Sequence, residues 1–354
     1  MARKKRINKK GKICMILLLL IIIGVVTCII LLKLNNNEKI EEKENISDEK
    51  KEEKVEEKLK ILDLESDSRP YAVMINNIST VWDYQCGLED AYLLYEVIVE
   101  GGYTRLMAVF KDKNLDRIGS VRSSRHYFLD YALENDAIYV HFGWSPQAQS
   151  DITSLGVNNI NFISYNGYTR DYSLGLATEH TAFTTTSKIM DGANYYGYRT
   201  TTNEKPLLDY SVKSIDLSNL EGAIPANYIN IVFSASRSTS FEYDSVNKVY
   251  KRFQNTLIHK DYVTGEQYTA KNIITYKVNN YTISGDNKGR QTIDNIGSGT
   301  GWFISEGYAV PITWEKSSRN SKTIYRYTNG TEIKVNDGNT HIEIQPSGQS
   351  LTIE

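Results

Sequence analysis

The chain has 354 residues, 40% of them hydrophobic, enough to bury more than one core, so two domains are expected beyond any membrane segment. Formal net charge is −2, but residues 1–13 hold seven Lys/Arg and no acid, so the remainder carries 34 basic against 43 acidic side chains, a balance of −9 that argues against nucleic acid as a partner. Of three cysteines, Cys14 and Cys28 lie in an apolar run; Cys86 is left alone, which excludes an intrachain disulfide or a cysteine zinc knuckle in the rest.

Residues 1–13 form a basic tail (Arg3, Lys4, Lys5, Arg6, Lys9, Lys10, Lys12). Cys14 to Leu32 then reads CMILLLLIIIGVVTCIILL, 19 residues without a charge. At a rise of ~1.5 Å per residue this spans about 28 Å, close to the ~30 Å hydrocarbon core of a bilayer. The basic cap before it places the N-terminus in the cytoplasm. A cleavable signal peptide wants a shorter apolar region and a small-x-small site. A lipoprotein would acylate Cys28, but Thr27 precedes it and the apolar run continues through Leu32. A buried core helix would not carry seven cations at one end. An uncleaved single-pass anchor of the cell membrane is expected, with the body outside. Residues 33–65 are rich in Glu and Lys and read as a spacer, either a solvated helix with Glu-to-Lys pairs or an extended charged linker.

The body begins near Ser66. YAVMI (Tyr71–Ile75) reads as a buried strand ended by Asn76-Asn77. Tyr92–Glu100 and Tyr103–Phe110 read as strands joined by a two-residue turn, Gly101-Gly102. Ser123 or Ser124 is expected to cap a helix running through Asn135, followed by a strand at Ala137–His141. Ser145-Pro146 has the order of a cap and first turn, with Gly156 closing that helix. A further helix is expected over Thr185–Tyr195, stopped by Gly197. Strands alternating with helices make residues 66–215 an α/β or α+β outer domain. From Tyr228 to Pro346 short β-rich runs are split by turn signals, so residues 216–354 are expected to be a mainly-β domain. Heavy use of Tyr and sparse Pro fit that reading.

Candidate ligand-binding residues gather in the first outer domain. If Gly101-Gly102 is the turn, Ile98 faces Arg105, and Glu96, Glu100 and Arg105 share a face. These are either an ion network pinning the hairpin or part of a site. Glu96 and Glu100 lie about 13 Å apart along a strand, beyond the ~5–9.5 Å between the carboxyls of a glycosidase pair. Arg122 and Arg125 straddle Ser123-Ser124 at a helix start, where cations oppose the helix dipole. That placement points to an anion site for phosphate or carboxylate, the alternative being pairing with Glu96, Glu100 or Asp130. His141-x-Gly143-x-Ser145 leaves a strand for a helix start. Ser145 is a plain cap or, with His141 as base, a nucleophile, although Gln147 breaks the G-x-S-x-G elbow. His180, in TEHTAFTTT, is a further pocket-wall candidate beside Arg170. The histidines lack metal-ligand spacing and the glycine loops of nucleotide sites are absent, so neither a metal nor a cofactor is expected.

These residues resemble the YerB-like family of bacterial envelope lipoproteins, a domain of unknown function. The matching stretches are RPYAVMINN (Arg69–Asn77), LYEVIVEGGYTR (Leu94–Arg105), IGSVRSSRHYF (Ile118–Phe128) and DAIYVHFGWS (Asp136–Ser145). The likeness continues through FEYDSVNKVYKR (Phe241–Arg252), GEQYTAKNI (Gly265–Ile273) and GSGTGWF (Gly297–Phe303). It implies an extracytoplasmic, membrane-tethered, two-domain protein, and implies no reaction. The chain departs from the family's usual lipobox around Cys28, has Asn76 where an aspartate is frequent, and carries Asp90-Ala91 in transposed order. A fold-level analogy to LytR–CpsA–Psr wall-polymer transferases rests on the anchor and the arginines alone, and their S-x-P-R-D sequence is missing. The expected function is a membrane-anchored binding or regulatory module for an anionic wall fragment or an envelope protein. The alternative is an envelope phosphotransferase or hydrolase using the Arg/His cluster.

Overall fold

The structure, a computed structural model, describes residues 8–47 and 58–354. The chain divides into two units, residues 1–57 and 58–354. In the first, α1 (Lys9–Ser47) is one continuous helix. Its Lys9–Asn35 portion contains an 18-residue window of mean hydropathy 3.4, none of it buried against protein, and is long and apolar enough to cross a bilayer. Helix therefore continues past Leu32 into the Glu/Lys stretch. Residues 1–7 of the basic tail and 48–57 of the spacer lie outside the described residues.

In the second unit, YAVMI and the two asparagines form β1 (Tyr71–Asn77), buried along its whole length. Its run is apolar on both faces because both are covered: Met74 packs into one core, and Val73 and Ile75 into another. β2 (Leu93–Ile98) and β3 (Thr104–Phe110) make the expected hairpin, but with a different turn. Glu100–Gly102 forms a short 3₁₀ turn with both glycines at positive φ (71° and 73°), and Val99 N–H donates to Tyr103 O at 2.7 Å. The longer connection shifts the register by one: Val97, not Ile98, lies opposite Arg105, and Glu96 lies opposite Leu106.

The central sheet has eleven strands and draws on both parts of the body. The strand Thr340–Pro346, near the C-terminus, runs parallel to β2 on one side and to Asn272–Val278 on the other. Beyond β3 the sheet continues through β1 to Ile138–His141 and Asn159–Asn161, all three parallel. From Tyr228 onward every named element is a strand, and a second sheet of six is built around Arg237–Asp244. The three cores lie on one face of the large sheet (Met107, Tyr131, Phe303), on its other face (Leu106, Val140, Ile189), and between the sheets (Phe233, Phe241, Ile304).

The helices start where local chemistry puts them, with one exception. Ser145 Oγ accepts from Ala148 N–H at 3.2 Å and caps α3 (Pro146–Ser154). Thr185 caps α4 (Thr186–Tyr195) in the same way. α2 (His126–Glu134), however, has Arg125 at its cap position and no side-chain cap, while Ser124 is buried and receives the Tyr139 hydroxyl at 2.8 Å. Neither Ser123 nor Ser124 takes the expected capping role.

Candidate functional site

The register decides where the charges go. A one-residue shift turns a side chain to the opposite face of a sheet, so Glu96 and Arg105 part company. Glu96, fully buried, faces the second sheet. Its Oε1 accepts from Arg237 Nη2 (2.7 Å), Thr104 Oγ1 (2.6 Å) and Asn77 Nδ2 (3.1 Å); its Oε2 accepts from Arg252 Nη2 (2.5 Å) and Thr239 Oγ1 (2.8 Å). Burial alone would raise the carboxyl, but the two guanidinium charges and these hydrogen bonds outweigh it and hold Glu96 down at about 2. Trp82 covers the cluster, its ring 4.9 Å from the Arg237 guanidinium and its Nε1 donating to Asn77 O.

Directly opposite Glu96 on the parallel strand stands Glu343, also fully buried. Burial, then the charge of Glu96, drives its carboxyl well above the ordinary range, so it is held protonated. Burial, then the charge of Arg252, drives His341 down to about 3. The 3.8 Å approach of His341 Nδ1 to Glu343 is accordingly a contact between neutral groups and not an ion pair. His259 is pressed between Arg252 and Gln85 and is likewise held neutral by burial and the arginines. The cluster is a sealed polar core between the sheets. Glu96 was the one member that the sequence singled out.

The second charged group lies on the other side of β2, at the hairpin end. Glu100, in the turn, receives Arg125 through both oxygens, Nε to Oε2 at 2.9 Å and Nη2 to Oε1, while Arg105 Nη2 reaches Oε1 at 3.3 Å. Burial would raise Glu100, but the Arg125 hydrogen bonds and the charges of Arg105 and Arg125 hold it at about 2. Burial, then the neighbouring Arg125, lowers Arg105 to about 9, which leaves it charged at neutral pH. Arg105 Nη1 and Arg125 Nη1 each donate to a backbone carbonyl as well, at Ser123 (2.6 Å) and Ser124 (2.7 Å). A bidentate carboxylate thus answers the cation at the start of α2. The rim beyond is more open: Arg122 meets Glu179 at 3.2 Å, and His180 Nδ1 meets Asn76 Nδ2 at 2.9 Å.

His141 belongs to neither group. It is fully buried, with Nδ1 2.8 Å from Gly143 O and Nε2 3.0 Å from Asn159 Oδ1; burial lowers it to about 4, so the neutral ring donates to one of these two oxygens at a time. With Ser145 engaged at the cap of α3, the pair has no nucleophile–base contact. Near them, but lined by neither, a cleft of about 290 Å³ opens beside the last two parallel strands. Its walls include Trp144, Ile152, Asn159, Asn161, Tyr196 and Tyr198. No Asp, Glu, Lys, Arg or His lines it among the described residues. Asn161 is 3% exposed: its Oδ1 accepts from Gly143 N–H (2.9 Å) and Ile163 N–H (3.1 Å), and its Nδ2 has no partner among the described residues. A larger cavity of about 710 Å³ lies elsewhere, where Lys322 meets Glu204 at 3.3 Å and Lys111 meets Ser66 O at 2.8 Å. Groups of three or more His, Cys, Asp or Glu able to hold a metal are absent among the described residues.

Sequence reasoning missed both the Glu96 partners and the cleft. Arg252 was detectable, since Tyr250, Arg252 and Gln254 alternate inward along one strand. The cleft residues carry no charge, and nothing in composition marks them.

Two family models match the chain, those of the N-terminal and the C-terminal domain of DUF3048, a protein of unknown function, over residues 59–199 and 229–342. A protein of Bacillus subtilis (strain 168) described as "Putative lipoprotein YerB" is 27% identical over 279 residues, 77% of this chain and 77% of its own. The crystal structure of YerB protein from Bacillus subtilis matches with a TM-score of 0.70 at 25% identity, over 81% of this chain and 94% of that one.

Proposed function

We propose, from the premise that this chain belongs to the DUF3048 family, that it is a single-pass, membrane-anchored binding module of the cell envelope. The apolar Lys9–Asn35 segment is its anchor, with the N-terminus cytoplasmic and the body outside. The observation that carries the binding role is the cleft at Trp144 and Asn161, an uncharged pocket lined in part by a residue whose buried side-chain amide has no partner among the described residues. A catalyst needs a group free to move a proton or hold a developing charge. Here His141 is sealed in the core against Gly143 O and Asn159 Oδ1, and the guanidinium groups of Arg105 and Arg125 are occupied by Glu100. The same occupancy weighs against an anionic ligand at those arginines and in favour of a neutral one at the cleft. The reading is tested by sedimenting the full chain, in detergent, with purified cell-wall sacculi. Saturable co-sedimentation is expected; a chain left wholly in the supernatant contradicts the reading.

A further inference from the structure

Resting on that reading, we propose that the Trp144–Asn161 cleft binds an uncharged, N-acetylated oligosaccharide. The first ground is the polar group that the fold leaves unfinished. A buried amide N–H without an acceptor is costly, because it has lost its water without replacement. In Asn161 the two backbone donors fix Oδ1, so the orientation of the side chain is set and Nδ2 is the atom left over. An acetamido carbonyl is the neutral acceptor that would complete it, and Ile152 in the same wall offers an apolar neighbour for the acetyl methyl.

The second ground is the wall chemistry. Trp144, Tyr196 and Tyr198 are half-buried, and the two tyrosine rings stack at 5.5 Å with 20° between their planes. Tyr196 is braced in turn by Tyr165 and Tyr195. Rigid aromatic faces suit the C–H face of a pyranose ring, and they come with little loss of side-chain freedom. Gln149 and Ser164, both exposed, make no side-chain hydrogen bond among the described residues and are available to hydroxyls. A charged ligand would lose its hydration there without gaining a counter-charge.

The third ground is shape. A volume of about 290 Å³ sits at the lower edge of the ~300–1,000 Å³ of small-molecule sites, so the cleft takes about one ring. It shares Gln149 and Thr153 with a shallow surface that runs on over Pro146, Ser150 and Ser154, again without charge. That continuation gives a second sugar a place to lie.

The test is calorimetric titration of the full chain in detergent with tri-N-acetylchitotriose. Saturable binding is expected, weakened at least about tenfold by Trp144→Ala and by Asn161→Ala, and unchanged by Arg122→Ala. Because Asn161 also ties down its own loop, Gln149→Trp serves as the control for folding. It blocks the mouth from an exposed position on α3 and should abolish binding while leaving the thermal midpoint in place. The sugar assignment is overturned if chitotriose does not bind although sacculi still sediment the chain, which leaves the module reading intact. It is equally overturned if binding survives all three cleft substitutions, or if a tetra-alanine peptide binds with the same dependence on Trp144 and the sugar does not. Loss of both sugar and sacculus binding in the unsubstituted chain removes the module reading as well.

Discussion

Glu96 and Glu100 are four residues apart in one hairpin and end in opposite circumstances. Glu96 is enclosed in a polar core between two sheets, and its side chain is 1% exposed; Glu100 closes a turn, and its side chain is 27% exposed. The arginines that neutralise Glu96 come from 141 and 156 residues further along the chain, those of Glu100 from 5 and 25. Both carboxylates are answered by arginines, but register decides whether the pairing ties two distant parts of the chain together or fastens one local turn, and Glu343, which gets no cation of its own, is held protonated instead.

That contrast can be broken most forcefully at Glu96. Glu96→Ala leaves Arg237 and Arg252 buried without a counter-charge and is expected to lower the unfolding free energy by roughly 3–5 kcal/mol at pH 7. Urea denaturation followed by circular dichroism reads this directly; a loss below about 1 kcal/mol would mean the cluster is not a structural tie.

Acid sharpens the contrast by separating the two sites in pH. His341, beside Glu96, is held neutral in the fold down to about 3, while the unfolded chain takes up its proton near ~6.5. Its contribution is present above ~6.5 and is lost as pH falls toward 3, by at most about 1.4 kcal/mol per pH unit for one proton. His341→Gln should flatten the stability profile between pH ~6 and 4 by up to that slope. Glu100 behaves differently: its folded value of about 2 lies below the unfolded ~4.3, so its contribution is lost only between those values. Glu100→Gln should therefore leave the profile above pH ~5 parallel to that of the unsubstituted chain. A change of slope there would count against the assignment.

Smaller still is Glu100→Ala. Both arginines keep a backbone carbonyl and Glu100 itself is partly exposed, so a smaller loss of roughly 1–2 kcal/mol is expected by the same denaturation assay. Arg122→Ala is expected to fall within about 0.5 kcal/mol, because its partner Glu179 is largely exposed.

Much of the fold was legible. The apolar N-terminal helix, β1, the hairpin strands, α3 with its Ser145 cap, α4 and the change to strands after Tyr228 follow from periodicity and local hydrogen-bonding chemistry. The hairpin register was not, because Gly101-Gly102 fits a two-residue turn as well as the 3₁₀ turn that forms, and nothing local separates them. For the same reason Glu96 does not share a face with Arg105, whereas Arg105 and Arg125 do come together on Glu100 and His141 is buried apart from them. Glu100, which occupies Arg105 and Arg125, was among the acids that the sequence offered; Glu179, which meets Arg122, was not. The cleft stayed hidden because Trp144, Asn159, Asn161 and Tyr198 read one by one as ordinary loop and strand residues. Only the parallel arrangement of Ile138–His141 and Asn159–Asn161 brings them together.

The central claim is that the charges of the body complete the fold and that recognition is left to uncharged groups. The salt dependence of sacculus binding by the full chain tests it most directly. Exposed ionic contacts weaken steeply as the Debye length shrinks from ~10 Å at 0.1 M toward ~3 Å at 1 M. The account predicts an affinity that changes less than about twofold between 0.1 and 1 M sodium chloride; a fall of tenfold or more would return the arginines to the binding site and contradict it.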